Sequence, residues 1–179
     1  MLFLLPLIQA RAQEYDISGI GFYNVENLFD TVDTKNVNDI DFTVEGKNQW
    51  GDDRYQYKLN NISYVISQVA QDVTPDGLVV VGVSEIENKT VLEDLIKQES
   101  IADRKYQIIH YDSPDRRGID VALLYQEKYF KPLSSKVFPL TMSSDTSFRT
   151  RSQLLVSGEL LGERIHFIVS HWPSRSGGE

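Results

Sequence analysis

Three apolar runs in this 179-residue chain each lead to one polar residue able to do chemistry. Asn24 follows the run through Ile20 and Phe22, Glu85 follows Leu78 to Val83, and His171 follows Arg164 to Val169. Ends of strands in an α/β sheet are where ligands gather. An amide, a carboxylate and an imidazole meeting there suit a hard divalent cation, which prefers oxygen ligands, with a histidine beside a phosphate. The chain has no cysteine, which excludes disulfides, thiolate zinc sites and a cysteine nucleophile.

Each of these residues also has a plainer reading. Asn24 is a ready turn former, with Asn27 as its alternative in the same loop. Glu85 could simply begin a loop, and Glu87 competes with it, although Asn88 beside Glu87 looks like a helix cap. His171 is in step with Ile165, Phe167 and Val169, where a lone histidine is commonly a satisfied core group; His110 and His166 read as structural or solvent-facing. Arg116, Arg117, Arg149, Arg151 and Arg175 are candidates for a local phosphate-binding rim, since a guanidinium matches phosphate bidentately. Plain solvation is the competing reading, and for Arg116 the favoured one. Arg117 and Asp120 share an Arg-Gly-Ile-Asp stretch whose glycine permits a tight turn that aims both side chains.

The elements that would position these groups follow from the apolar pattern. Tyr15 to Tyr23 reads as a strand entering a polar loop, and Asp30 to Asp53 as a long acidic surface excursion. Leu59, Ile62, Ile66 and Val69 fall at helical spacing, with Asp52 and Asp53 as cap candidates and Pro75 as a stop. Leu78 to Val83 is a continuous β-branched run, the mark of a strand covered on both faces. Asn88 then caps a helix carrying Val91, Leu92, Leu95 and Ile96. Strands are expected at Tyr106 to Tyr111, Ile119 to Tyr125, Gln153 to Leu160 and Arg164 to Trp172, the last two joined as a hairpin through Leu161-Gly162-Glu163. The whole reads as one α/β unit.

Composition narrows the partners. With 41% hydrophobic and 25% charged residues the chain can form a globular core. Its net charge of -8 argues against coating nucleic acid through a broad basic surface, but leaves a phosphate ester open if a metal ion or a few arginines neutralise it. The apolar run at residues 1–8 followed by Ala10-Arg11-Ala12 fits the remnant of a signal peptide over residues 1–12, with a mature chain from Gln13. It is too short to span a bilayer. Export to the periplasm or the exterior is therefore expected, with no stable membrane span and a monomer.

Four stretches, taken in order, resemble a known family. Phe22-Tyr23-Asn24-Val25-Glu26-Asn27-Leu28-Phe29-Asp30, Ser84-Glu85-Ile86-Glu87-Asn88, Arg117-Gly118-Ile119-Asp120-Val121-Ala122-Leu123-Leu124-Tyr125 and Ser170-His171-Trp172-Pro173-Ser174-Arg175 look like successive motifs of the endonuclease/exonuclease/phosphatase superfamily. The resemblance implies an α/β fold of deoxyribonuclease I type, a four-layer α/β/β/α sandwich, incomplete here at the C-terminus. It also implies hydrolysis of a phosphate ester, DNA or RNA first among them, by attack of water assisted by Mg²⁺ or Mn²⁺. Carried over, Glu85 is the metal ligand, Asn24 supports the metal or the scissile phosphate, and His171 contacts the phosphate. Arg175, Arg117, Asp120 and Asn27 are secondary candidates for substrate binding. The family's downstream Asp-x-Asn and Ser-Asp-His motifs do not occur in these residues. Residues 13–179 thus read as the N-terminal portion of a truncated catalytic domain, expected to be inactive by itself. A phosphatase or phospholipid phosphodiesterase on the same scaffold, or a non-catalytic phosphate-binding module, are the rival readings.

Overall fold

The structure, a computed structural model, describes residues 16–172. The N-terminal apolar run and Arg175 lie outside them. In chain order the elements are β1 (Gly19–Leu28), α1 (Asp52–Gln68), β2 (Leu78–Ile86), α2 (Lys89–Ile96), β3 (Tyr106–His110), β4 (Asp120–Gln126), β5 (Phe130–Phe138), β6 (Gln153–Leu160) and β7 (Glu163–Val169).

The strands form two sheets, ordered β1-β2-β4-β3 and β5-β6-β7. β1 and β2 pair in parallel across the α1 crossover, and every other pairing is antiparallel. Alternation along β4 shows how the layers stack. Ala122 and Leu124 share a core with Tyr55, Leu59, Ile62 and Ile66 of α1 and Val91, Leu92 and Leu95 of α2. Val121, Leu123 and Tyr125 instead meet Phe130, Leu154, Val156 and Val169 of the second sheet. β2 and β4 of the first sheet are therefore covered on both faces, which is why β2 could be a continuous valine run, whereas Ile20 and Phe22 of β1 stay 48% and 56% exposed. Each side chain fully buried in this way contributes about 1.5–3 kcal/mol. Among the described residues both α-helices lie on the first sheet, giving helix, sheet and sheet layers of the expected sandwich. The face of β7 carrying Ile168 is open, that side chain being 69% exposed.

Several local expectations need correction. Gly51, not an aspartate, is the N-cap of α1, and Asp52 and Asp53 occupy its first turn, where their charge favours the positive end of the helix. The helix stops at Gln68, well before Pro75, because Val69 turns extended and Ala70 adopts φ 63°. Residues 30–53 are not a mere surface excursion. Phe42 stacks on Phe29 at 4.1 Å, Trp50 meets Phe42 edge-on at 5.9 Å, and the Trp50 Nε1 donates to the Phe29 carbonyl at 3.0 Å. β5 is an additional strand that polar composition and Pro132 concealed; it is an edge strand, where a proline is tolerated, and its register shifts between Pro132 and Ser134. The β6–β7 hairpin is tighter than expected, with only Leu161 and Gly162 in the turn, both at positive φ.

Candidate active site

Asn24 and Glu85 lie within strands rather than after them, and irregular backbone is what frees their side chains. Asn24 pairs with Ser84 in the β1–β2 register, after which the pairing slips before Leu28 meets Ile86. Glu26 and Asn27 take up that slip at φ 54° and 62°, and Glu85 sits at φ 63° where the β2–β4 register also shifts. Positive φ in a residue with a side chain costs on the order of 1–3 kcal/mol. A bulge of this kind re-aims the side chain it carries. The result is a contact across the strands: Asn24 Nδ2 donates to Glu85 Oε1 at 3.2 Å. The Asn24 side-chain Oδ1 meanwhile accepts from the Glu26 backbone N–H at 2.9 Å, which locks the amide orientation.

His171 arrives from the second sheet, two residues past β7, and its Nε2 lies 3.4 Å from the same Glu85 Oε1. Its other ring nitrogen is occupied. Arg151, just before β6, donates through Nε to His171 Nδ1 at 3.2 Å and through its terminal nitrogen to Asp115 Oδ2 at 3.1 Å. A guanidinium has no acceptor, so Nδ1 must present its lone pair and the proton sits on Nε2, facing Glu85. Burial, with Arg151 second, lowers the His171 pKa below its ordinary 6.5, while the Glu85 charge pulls the other way. The imidazole is thus held neutral, as a donor toward Glu85.

Glu85 fits the demands of a hard divalent cation. Its carboxylate is partly open to solvent, and its second oxygen has no hydrogen-bond partner among the described residues. Magnesium is commonly held by one or two carboxylates and keeps several of its waters, so one such anchor with open positions suits it. Glu87 does not compete. It is 6% exposed, its Oε2 accepts from the Asp30 N–H at 2.8 Å and its Oε1 from the Thr34 hydroxyl at 3.0 Å, so both oxygens anchor the loop after β1. Burial chiefly, then the neighbouring Asp30 charge, pushes its pKa up to about 7 against those two hydrogen bonds.

The secondary candidates separate. Asp120 does not face an open site: it is buried, its Oδ2 lies 2.9 Å from His110 Nε2 and its Oδ1 accepts from the Ser113 N–H at 2.9 Å. Desolvation at this inward position raises its pKa. Gly118, at φ 66° with Val37 where a Cβ would go, does make the turn, but the turn delivers Asp115 toward Arg151 rather than Asp120. Arg117 remains half exposed, 3.9 Å from Asp115. Asn27 contributes backbone shape, and its side chain has no hydrogen bond among the described residues. Arg116 and Arg149 are spent on carbonyls of the loop before β6. His110, Asp112 and Asp120 have ligand atoms within 4.8 Å of one another, a second metal-type group, but the two carboxylates stand against opposite nitrogens of the ring.

Two participants were not assigned their roles from sequence. Arg151 was one cation among five, and only its place just before β6, beside the residues that follow β7, makes it the partner of His171. Lys58, on α1, reaches the Glu26 carbonyl at 2.7 Å; burial lowers its pKa, while Glu26 and Glu85 oppose that shift. Its helical position gave no hint of this, since only the bulge of β1 brings that carbonyl within reach.

Comparison with known proteins identifies the family. A family model described as Endonuclease/Exonuclease/phosphatase family matches residues 19–179. Among solved structures, an endonuclease/exonuclease/phosphatase from Bacteroides vulgatus is similar at 14% identity and a TM-score of 0.44, covering 83% of this chain and 49% of that one. ANGEL2, a 2′,3′-cyclic phosphatase, is similar at 16% identity and a TM-score of 0.43, over 59% of this chain and 28% of its own. D. rerio TDP2, humanized by 14 mutations, is similar at 17% identity and a TM-score of 0.41, over 65% and 44%. The chain thus spans less than half the length of each of these proteins. No curated protein matches.

Proposed function

The chain belongs to the endonuclease/exonuclease/phosphatase family, whose members are hydrolases of phosphate esters, and from that premise we propose that the whole protein hydrolyses a phosphodiester with the help of Mg²⁺ or Mn²⁺. The observation that carries the reading is the convergence on one atom: Glu85 Oε1 receives Asn24 Nδ2 from β1 and faces His171 Nε2 from the second sheet.

Glu85 holds the cation, and Asn24 fixes the carboxylate that does so. When bound, the ion offsets negative charge that grows on the phosphoryl oxygens and polarises the bond to be cut. His171, kept neutral with its one proton on Nε2, turns that proton from Glu85 to a phosphate oxygen when substrate is bound, and the bond strengthens as charge develops. The same tautomer makes Nδ1 unavailable as a base, because Arg151 already occupies it. The Arg151–Asp115 pair holds the imidazole in place from behind. Activation of the attacking water falls, by the resemblance, to the Asp-x-Asn and Ser-Asp-His motifs, which these 179 residues do not include.

Nucleic acid is the substrate class we favour. The test is a panel of plasmid DNA, RNA, inositol phosphates and sphingomyelin incubated with the whole protein and Mg²⁺ or Mn²⁺. Cleavage of DNA or RNA supports the nuclease reading, and intact nucleic acid beside a hydrolysed lipid or sugar phosphate overturns it in favour of a phospholipid phosphodiesterase or phosphatase. Export, suggested by the N-terminal run, is likewise our proposal.

A further inference from the structure

We propose that the outer face of α1 binds the nucleotide that continues the substrate away from the reacting phosphate, its base on the Tyr57 ring and its phosphate beside Arg54 and Lys58. This rests on the phosphodiesterase reading above.

A groove of about 630 Å³ runs along the first turns of α1, lined by Trp50, Asp53, Arg54, Tyr57, Lys58 and Asn61. A second hollow, lined in part by Asn24 and Glu26, shares Lys58 and Asn61 with it. The second hollow borders Asn24, whose amide donates to Glu85, so the two lie side by side between the outer face of α1 and the candidate site. Side chains four apart on a helix lie one above the other, so Arg54 and Lys58 make one row of the groove and Tyr57 and Asn61 the other. The indole of Trp50 lies beneath both cations, 5.6 Å from the Arg54 guanidinium and 6.0 Å from the Lys58 ammonium.

The chemistry of this lining selects its occupant. Tyr57 is 70% exposed, with an aromatic face free for stacking on a planar ring. Arg54 donates to the Asn48 carbonyl and Lys58 to the Glu26 carbonyl, and each keeps further N–H donors for an anion. Asp53, the carboxylate of the groove, limits the number of phosphates it can take. Ring and anion together describe one nucleotide.

Fluorescence anisotropy of a fluorescein-labelled trithymidylate, without divalent cation so that nothing is cleaved, tests this. Tyr57→Ala is expected to weaken binding about tenfold, within the range known for loss of one base–aromatic stack, and Tyr57→Phe to bind as the parent does. One phosphate neutralised on a single strand also predicts that log K falls with log salt at a slope of about -0.7. Equal affinity of Tyr57→Ala and the parent overturns the proposal, as does competition by inositol trisphosphate that equals competition by unlabelled trinucleotide. Because Tyr57 is exposed, the variant keeps the fold, which far-ultraviolet circular dichroism checks. Hydrolysis of bis(4-nitrophenyl) phosphate by the whole protein tests the underlying reading separately: no turnover with any divalent cation rejects that reading, whereas turnover with unaltered Tyr57→Ala affinity rejects the groove alone.

Discussion

Arg151 Nε and His171 Nδ1 lie 3.2 Å apart, and the direction of this bond is set by chemistry, since the guanidinium can only donate. Residues flanking β6 and β7 of the second sheet thereby hold an imidazole in one tautomer against the C-terminal end of β2 in the first sheet. Protonating Nδ1 would break the bond and set two cations side by side.

The first prediction concerns that titration. His171 in the folded protein titrates below 6.5, through burial and Arg151. The folded state therefore binds fewer protons here than the unfolded chain, and the contribution of this group to stability is present above 6.5 and lost as pH falls through that value toward the folded pKa. In Arg151→Gln the His171 pKa should rise, read from its ring proton shifts in a pH titration by NMR. An unchanged or lower value contradicts the arrangement.

A second prediction concerns the buried pair behind the histidine. Arg151 and Asp115 side chains are 7% and 5% exposed, so removing one leaves the other as an uncompensated charge. Asp115→Ala or Arg151→Met alone should cost about 3–5 kcal/mol, and the double variant much less than the two together. Urea denaturation of the four proteins measures the coupling. Additive losses would mean that the pair is not a unit.

How far the sequence revealed all this depends on what each signal measures. The valine run of β2 and the 3.6-residue spacing in α1 report burial directly, so both elements were legible, as was the Asn88 cap, whose Oδ1 accepts from the Val91 N–H at 3.1 Å. β5 was not, because an edge strand needs only one covered face and its alternation Phe130, Pro132, Val137 is broken by a register slip. Asn24, Glu85 and His171 were found by type and motif, but not the reason that they meet. That reason lies in paired backbone irregularities at 26–27 and 85, which leave no mark in composition. Arg151 and Asp115 are 36 positions apart, and only the packing of one sheet on the other makes them partners.

The third prediction follows from Glu87, whose folded pKa stands at about 7, raised from 4.5 chiefly by desolvation. The folded state holds this proton more tightly than the unfolded chain, so the stabilising contribution is complete below 4.5 and is lost as pH rises to about 7. The loss is at most roughly 3 kcal/mol. Glu87→Gln should flatten the pH dependence of unfolding in that window, since its amide can accept from the Asp30 N–H while Thr34 turns its hydroxyl to accept. An unaltered slope in the variant would assign the dependence to another group.

Everything in the functional account depends on Glu85 anchoring a divalent cation, and Mn²⁺ binding followed by electron paramagnetic resonance measures this directly. The wild-type protein should bind Mn²⁺, and Glu85→Gln, which removes the charge but keeps the shape, should lose at least tenfold in affinity. Equal Mn²⁺ affinity in the two proteins would contradict the account.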